Sequence, residues 1–159
     1  ADRIVLLDFG ATRIFESKFV RNYSDIVSGA IEGDRERIKR GAIAIGMMTP
    51  ELPEYVMDAF LNMCELIVEP FNAAASKHTP PKLLTERGEY RWGKSDLPMR
   101  AGHVAAVNAL SIHFRVPPRE IVFLHRRLAG VFIMLATLGA ELNTRQLLLD
   151  RLERVQRRP

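Results

Sequence analysis

Arg115-Val116-Pro117-Pro118-Arg119-Glu120-Ile121-Val122-Phe123-Leu124-His125-Arg126-Arg127-Leu128-Ala129-Gly130-Val131-Phe132-Ile133-Met134-Leu135 is the stretch that decides the fold. The two prolines pre-set the φ of a first helical turn, where a missing N–H costs nothing. Leu124, Leu128, Val131, Leu135 and Leu138 then recur at helical spacing and predict an inward stripe. From Val131 to Leu135 the pattern is apolar all round, so this helix is expected to be the most buried of the chain. The apolar run from Gly130 to Ala140 is much shorter than the roughly 20 residues a bilayer span needs, and fits a core helix.

Working outward, helical periodicity dominates on both sides. Phe19, Tyr23, Ile26, Val27 and Ala30 share one face. Gly33 followed by Asp34 supplies a stop and then an N-cap for a second helix with Ile38, Ala42 and Ile45 inward. Thr49-Pro50 breaks that helix, and Leu52-Pro53-Glu54 opens a third with the stripe Val56, Phe60, Met63, Ile67 and Phe71. Residues Asn72 to Ser95 carry Pro80-Pro81, Gly88 and Gly93 without a period and predict one long connection, of a length that tends to be functional or mobile. A fourth helix is expected from about Pro98 to Phe114, with His103, Val107, Leu110 and Phe114 on one side. Asn143 with Gln146 three residues on resembles a capping box opening a last helix, with Leu148, Leu152 and Val155 inward. The only convincing strand is Ile4 to Leu7. The expected fold is mainly α: an irregular bundle of about six helices with one short N-terminal strand, forming a single domain over residues 1–159, with the strand and its turn at 3–13 and the helical remainder at 14–158.

The chain has 159 residues, 47% hydrophobic and 26% charged, which is globular composition and enough length for its own core. Net charge is +4. The basic clusters, Arg35 to Arg40 and Arg151, Arg154, Arg157 and Arg158, include acidic neighbours at helical spacing and read as solvated helix faces rather than a nucleic-acid patch. The single cysteine, Cys64, cannot form an internal disulfide and sits in a helical apolar pattern, as a buried small hydrophobe in a reducing compartment does. Ala1-Asp2-Arg3 has no signal-peptide character and suggests a piece of something longer.

Chemistry is concentrated at the front, in Leu6-Leu7-Asp8-Phe9-Gly10-Ala11-Thr12-Arg13. A buried strand ending in Asp carries a carboxylate to the mouth of a cleft, and the following Gly permits backbone angles a Cβ would obstruct. In kinases an Asp-Phe-Gly so placed holds the magnesium ion that bridges the nucleotide phosphates, a hard cation suited to oxygen ligands. By itself the three-residue word equally describes an ordinary strand-to-loop turn.

The longer context is more specific. Leu6 to Arg13, Phe19-Val20-Arg21-Asn22-Tyr23, Gly33-Asp34-Arg35-Glu36, and above all Arg115 to Glu120 with Leu124 to Gly130, resemble UbiB-type (AarF-domain) atypical kinase-like proteins, most closely the coenzyme Q biosynthesis branch. The resemblance implies the C-terminal part of a kinase-like lobe. It also implies a role in isoprenoid-quinone biosynthesis through ATPase or small-molecule kinase activity. Carried over, Asp8 is the magnesium ligand, and Phe9 and Gly10 shape its loop. Mg2+ with ATP would be the cofactor of the full-length parent, with quinone precursors as partners. The family's nucleotide-covering loop, phosphate-contacting Lys, helix Glu, catalytic-loop Asp and Asn and Lys-x-Gly-Gln segment lie upstream and are absent from this sequence. The chain alone is therefore expected to bind no cofactor tightly and to be inactive, because phosphoryl transfer needs several groups acting together.

Two other readings remain open. His78, His103, His113 and His125 are metal-ligand types, although His103 and His113 fall roughly 80° apart on a helix at 3.6 residues per turn and no His-x-x-x-His pair exists. A docking module is the other, with the Arg-rich last helix approaching a membrane surface or a protein partner. Apolar surface left uncovered would favour a homodimer. An intracellular location is expected, cytoplasmic or on the mitochondrial matrix side, with peripheral membrane contact and no nucleic-acid partner.

Overall fold

The computed structural model describes residues 12–72, 79–109 and 116–156. Six α-helices account for most of them, as the periodicity predicts. The predicted strand at Ile4 to Leu7 and the Asp-Phe-Gly turn lie outside the described residues, while Thr12 and Arg13 are without regular structure.

The first helix, α1 (Ser17–Glu32), ends at Gly33, whose φ of 75° only glycine adopts cheaply. Asp34 then accepts a hydrogen bond from the Arg37 N–H at 2.9 Å and caps α2 (Arg35–Ala44). Their interface is close because Gly41 has no side chain: a Cβ there would lie 2.7 Å from Ile26 Cγ1 and 2.8 Å from the Asn22 carbonyl oxygen. Arg37 reinforces the pair through Asp25 and Glu32, at 2.9 and 3.0 Å. The third helix, α3 (Glu54–Ile67), completes this half. Its buried residues are Met57, Phe60 and Leu61, whereas Val56, Met63 and Ile67 are only half-buried, so the predicted stripe is rotated by about one position. Ile26, Ala30, Ile38, Ala42, Met57, Phe60, Leu61 and Val68 form one core cluster. Fully burying a side chain the size of Ile38 stabilises by about 2–3 kcal/mol before chain entropy is subtracted.

The segment predicted as one long connection holds a second cluster instead. Leu83, Tyr90, Trp92 and Leu97 pack with Phe132, and Phe71 touches both clusters. Tyr90 and Trp92 meet edge to face at 5.1 Å, and Trp92 lies 4.8 Å from the Phe132 ring. Two short strands, β1 (Tyr90–Arg91) and β2 (Glu141–Leu142), pair antiparallel, with Tyr90 opposite Leu142. Strands of two residues carry no readable alternation. The physical reason for the miss is that aromatic anchors, not periodicity, order this segment.

The remaining helices are α4 (Leu97–Ala109), α5 (Arg119–Thr137) and α6 (Thr144–Gln156). On α4, His103 and Val107 are exposed, so the side they share faces solvent there, while Leu97 is buried. Leu110 and Phe114 lie outside the described residues. The largest correction concerns α5. Its buried residues are Ile121 and Phe132, flanked by half-buried Leu124, His125, Leu128 and Leu135, while Val131, Ile133, Met134 and Leu138 are 46–72% exposed. An all-round apolar pattern here marks a helix with one face on the core and another left open, not the most buried helix of the chain. Asn143 Oδ1 accepts from the Gln146 N–H at 3.4 Å, a long version of the predicted cap, and Leu152 is the buried residue of α6. No helix of the described residues is long and apolar enough to cross a membrane.

Candidate functional site

Asp8, Phe9 and Gly10, the predicted metal ligand and its loop, lie outside the described residues. What is described is the segment they lead into and the surface that receives it. Thr12 to Glu16 runs without regular structure into α1. Beside it opens a cleft of about 430 Å³, bordered by Arg13, Phe15, Lys18, Ile45, Pro118 and Glu120. That volume falls in the range of small-molecule sites, although the cleft is open and its lining more polar than such sites usually are.

The wall of this cleft joins distant parts of the chain. Arg13 Nη2 donates to Glu120 Oε1 at 2.7 Å across 107 residues, and the Arg13 guanidinium carbon sits 4.9 Å from the centre of the Phe123 ring. Glu120 is in the first turn of α5, where the helix dipole favours a carboxylate, and its neighbour Ile121 is fully buried, so the anchor is stiff. Phe15, just before α1, and Phe19 and Tyr23 within it stack in sequence, 5.3 and 5.9 Å between successive ring centres. The ladder ends on His125 of α5, whose Nε2 shares a hydrogen bond with the Tyr23 hydroxyl at 3.3 Å. Burial pushes the Tyr23 phenol up and the His125 imidazole down, each toward its neutral form.

Other candidates resolve differently. Tyr23, Cys64 and His125 border a second, apolar cavity of about 40 Å³. It has little more room than one water and is unsuited to a nucleotide. Burial, followed by the Glu65 charge, pushes the Cys64 thiol up to about 12, so it is an inert packing group although the residue as a whole is only partly buried. His103 is exposed, His125 is engaged by Tyr23, and His78 and His113 lie outside the described residues. Among the described residues, no group of three or more His, Cys, Asp or Glu is placed to hold a metal.

Two arginines of the basic cluster of α2 are held by carboxylates. Arg35 reaches Glu65 at 2.9 Å and Asp58 at 3.4 Å, and Arg37 reaches Asp25 and Glu32. These residues tie helices together instead of presenting a free cationic patch. Arg151 and Arg154 of α6 are exposed, and Arg157 and Arg158 lie outside the described residues.

One polar centre was not foreseen. Glu69, only 3% exposed, accepts from Arg100 Nη2 on both oxygens (2.9 and 2.8 Å) and from the Tyr90 hydroxyl at 2.5 Å. Tyr90 in turn lies 2.6 Å from Ser95 Oγ, and Asp96 holds the same arginine at 2.7 Å. Burial, then the hydrogen bond to Glu69, raises the Tyr90 phenol. The network fastens the segment before α4 to the end of α3, which is a structural task. Neither the contacts of Glu69 nor the Arg13–Glu120 pair leaves a local signal, because these partners are 21 to 107 residues apart.

No family model matches the chain. Among curated proteins, it is 31% identical over 148 residues to the mitochondrial atypical kinase COQ8B of Rattus norvegicus, covering 93% of this chain and 25% of that protein. It is 33% identical over 138 residues to the mitochondrial atypical kinase coq-8 of Caenorhabditis elegans, covering 87% and 16%. With the mitochondrial atypical kinase COQ8 of Saccharomyces cerevisiae it shares 27% identity over 145 residues, covering 91% and 26%. The chain thus spans about a quarter or less of the length of the curated relatives it matches.

Proposed function

We propose, for a chain homologous over about nine-tenths of its length to COQ8 atypical kinases of the UbiB type, that it is the C-terminal part of such a kinase-like protein and lends Asp8 to a magnesium–nucleotide site. The observation that carries this reading is the length of the similarity: it covers 148 residues, 93% of the chain, far more than a three-residue word. The course of residues 12–16, passing from that word directly into α1 along an open cleft, supports it.

The donor chemistry fits only in part. A single carboxylate, Asp8, suits magnesium as one oxygen ligand among several, the rest being water, phosphate and groups from elsewhere in a longer protein. When bound, the ion would neutralise charge on the nucleotide phosphates. This chain's own contribution, in this reading, is that carboxylate and the segment 12–16 that follows it into α1. The substrate class we propose is an isoprenoid-quinone precursor handled by ATPase or small-molecule kinase chemistry; of this, the relatives' names carry the atypical kinase and the mitochondrial setting.

The test is made on the whole protein. Asp8→Ala is expected to abolish magnesium-dependent ATP binding, read by calorimetry with and without the metal. Unchanged magnesium-dependent binding in that variant would overturn the assignment. The purified 159-residue chain is expected to turn over no ATP; stoichiometric, Asp8-dependent turnover by this length of chain would contradict the division of labour proposed.

A further inference from the structure

We infer that the outer face of α5 seats an amphipathic, carboxylate-bearing helix supplied by the part of the longer protein that these 159 residues do not contain. The inference rests on the reading of the chain as one portion of such a protein, and adds where another portion docks and by what chemistry. The face runs from Val122 to Leu138, all within the described residues. Ile121 and Phe132 mark the buried side of the helix. Gly130 comes nine residues after Ile121, about two and a half turns, and so lies on the opposite side. Its neighbours on the helix surface are Arg126 and Arg127 one turn before and Ile133 and Met134 one turn after, all of them exposed.

Gly130 decides what kind of occupant fits. Gly41 has to be a glycine because a Cβ there would strike Asn22 and Ile26, whereas a Cβ on Gly130 would meet nothing within 4 Å and its φ is not positive. A glycine in mid-helix weakens the helix, and nothing among the described residues offsets that. A second helix crossing at this point would, since a missing side chain lets two backbones approach closely. Fluid lipid chains gain nothing from such a notch.

Charge narrows the occupant further. Arg13, Arg35, Arg37 and Arg100 each pair with a carboxylate, whereas Arg126 and Arg127 have no ion pair among the described residues. Two such cations in an apolar face lose water on docking, so the incoming helix has to bring carboxylates to them. A second copy of α5 brings none, because its only acid, Glu120, is held by Arg13. Crossing at Gly130, the copy would set its own arginines against these in a parallel pair, or Ile133 and Met134 against them in an antiparallel one. The matched region is only 25% and 16% of two of the relatives, which leaves ample chain to supply the helix.

The experiment compares the whole longer protein with the 159-residue chain. Ile133→Cys, on the face but clear of the notch, is labelled with a maleimide in each at low protein concentration, and the peptide carrying residue 133 is read by mass spectrometry. Labelling is expected to be about tenfold slower in the whole protein. Gly130→Leu should leave the melting temperature of the chain alone unchanged or raised, because the space is empty and leucine favours a helix, and should lower that of the whole protein by a few degrees. Arg126→Glu with Arg127→Glu should likewise lower only that of the whole protein. Equal labelling of the two proteins, with Gly130→Leu as stable as the parent in the whole protein, overturns the docking face and leaves Asp8-dependent magnesium–ATP binding standing. Protection that appears only with anionic vesicles assigns the face to a membrane, and protection that grows with protein concentration assigns it to a second copy; either overturns the proposal. A coding sequence of no more than these 159 residues removes it together with the reading beneath it.

Discussion

At the scale of single residues, two buried groups make predictions of opposite kind. His125 is held neutral by burial, its pKa depressed below the ordinary imidazole value. A group depressed on folding binds fewer protons in the folded chain, so stability is intact above about pH 6.5 and declines as pH falls below it. Tyr23, the partner facing it, is itself held neutral and offers no compensating charge. Urea unfolding between pH 7.5 and 5 should show this decline, and His125→Gln should flatten it; an equally steep slope in the variant would refute the assignment. Glu69→Ala, in contrast, leaves the Tyr90 hydroxyl and Arg100 without their shared acceptor and should cost about 3 kcal/mol at neutral pH, moderated by the partial exposure of Arg100. Chemical denaturation measures it, and a loss under about 1 kcal/mol would mean that solvent satisfies the network. Asp34 was legible as a cap because its partner lies three residues away; Glu69 was not, since nothing within one turn of it announces Arg100.

Whole elements were legible where a local rule fixes them and misread where a neighbour does. Gly33-Asp34, Pro53-Glu54, Pro117-Pro118 and Asn143 are stops and starts of local chemistry, and each marks an observed helix end or beginning, whereas α2 ends at Ala44, five residues before the predicted break at Thr49-Pro50. The buried face of α5 is set by what packs against it, and the spacing of its leucines alone could not separate Val131, which is exposed, from Phe132, which is buried. The segment before α4 was misread for the same reason: Tyr90 and Trp92 are ordered by Phe132, 40 residues further on. The α1–α2 pair is the reverse case, its geometry depending on one missing side chain. Gly41→Val would drive branched carbons into the Asn22 carbonyl and Ile26, and should destabilise the fold by about 2–3 kcal/mol despite a better helix propensity. Thermal melting is the measure, and a variant as stable as the parent would show that the two helices can separate without cost.

For the molecule as a whole, the apolar residues left open on α4 and α5 bear on how the isolated chain behaves. Met99 and Val107 are 75% and 55% exposed, Ile133 and Met134 56% and 53%. Since the chain spans at most about a quarter of its matched relatives, we propose that the remainder of a longer protein covers this surface. Alone in solution the 159-residue chain should then self-associate, and sedimentation velocity over a range of micromolar concentrations should show dimers; a strictly monomeric boundary would contradict this. The pairing of β1 with β2 has a further consequence, for the order of folding. It joins residue 90 to residue 142, whereas α1 and α2 meet through a turn of two residues. Closing the long loop costs chain entropy before any contact rewards it, while the short hairpin of helices forms almost for free. Substitutions at the α1–α2 contact should therefore slow folding, and those at Glu141 or Leu142 should chiefly hasten unfolding, so that the small sheet acts as a late latch on a structure already collapsed around α1.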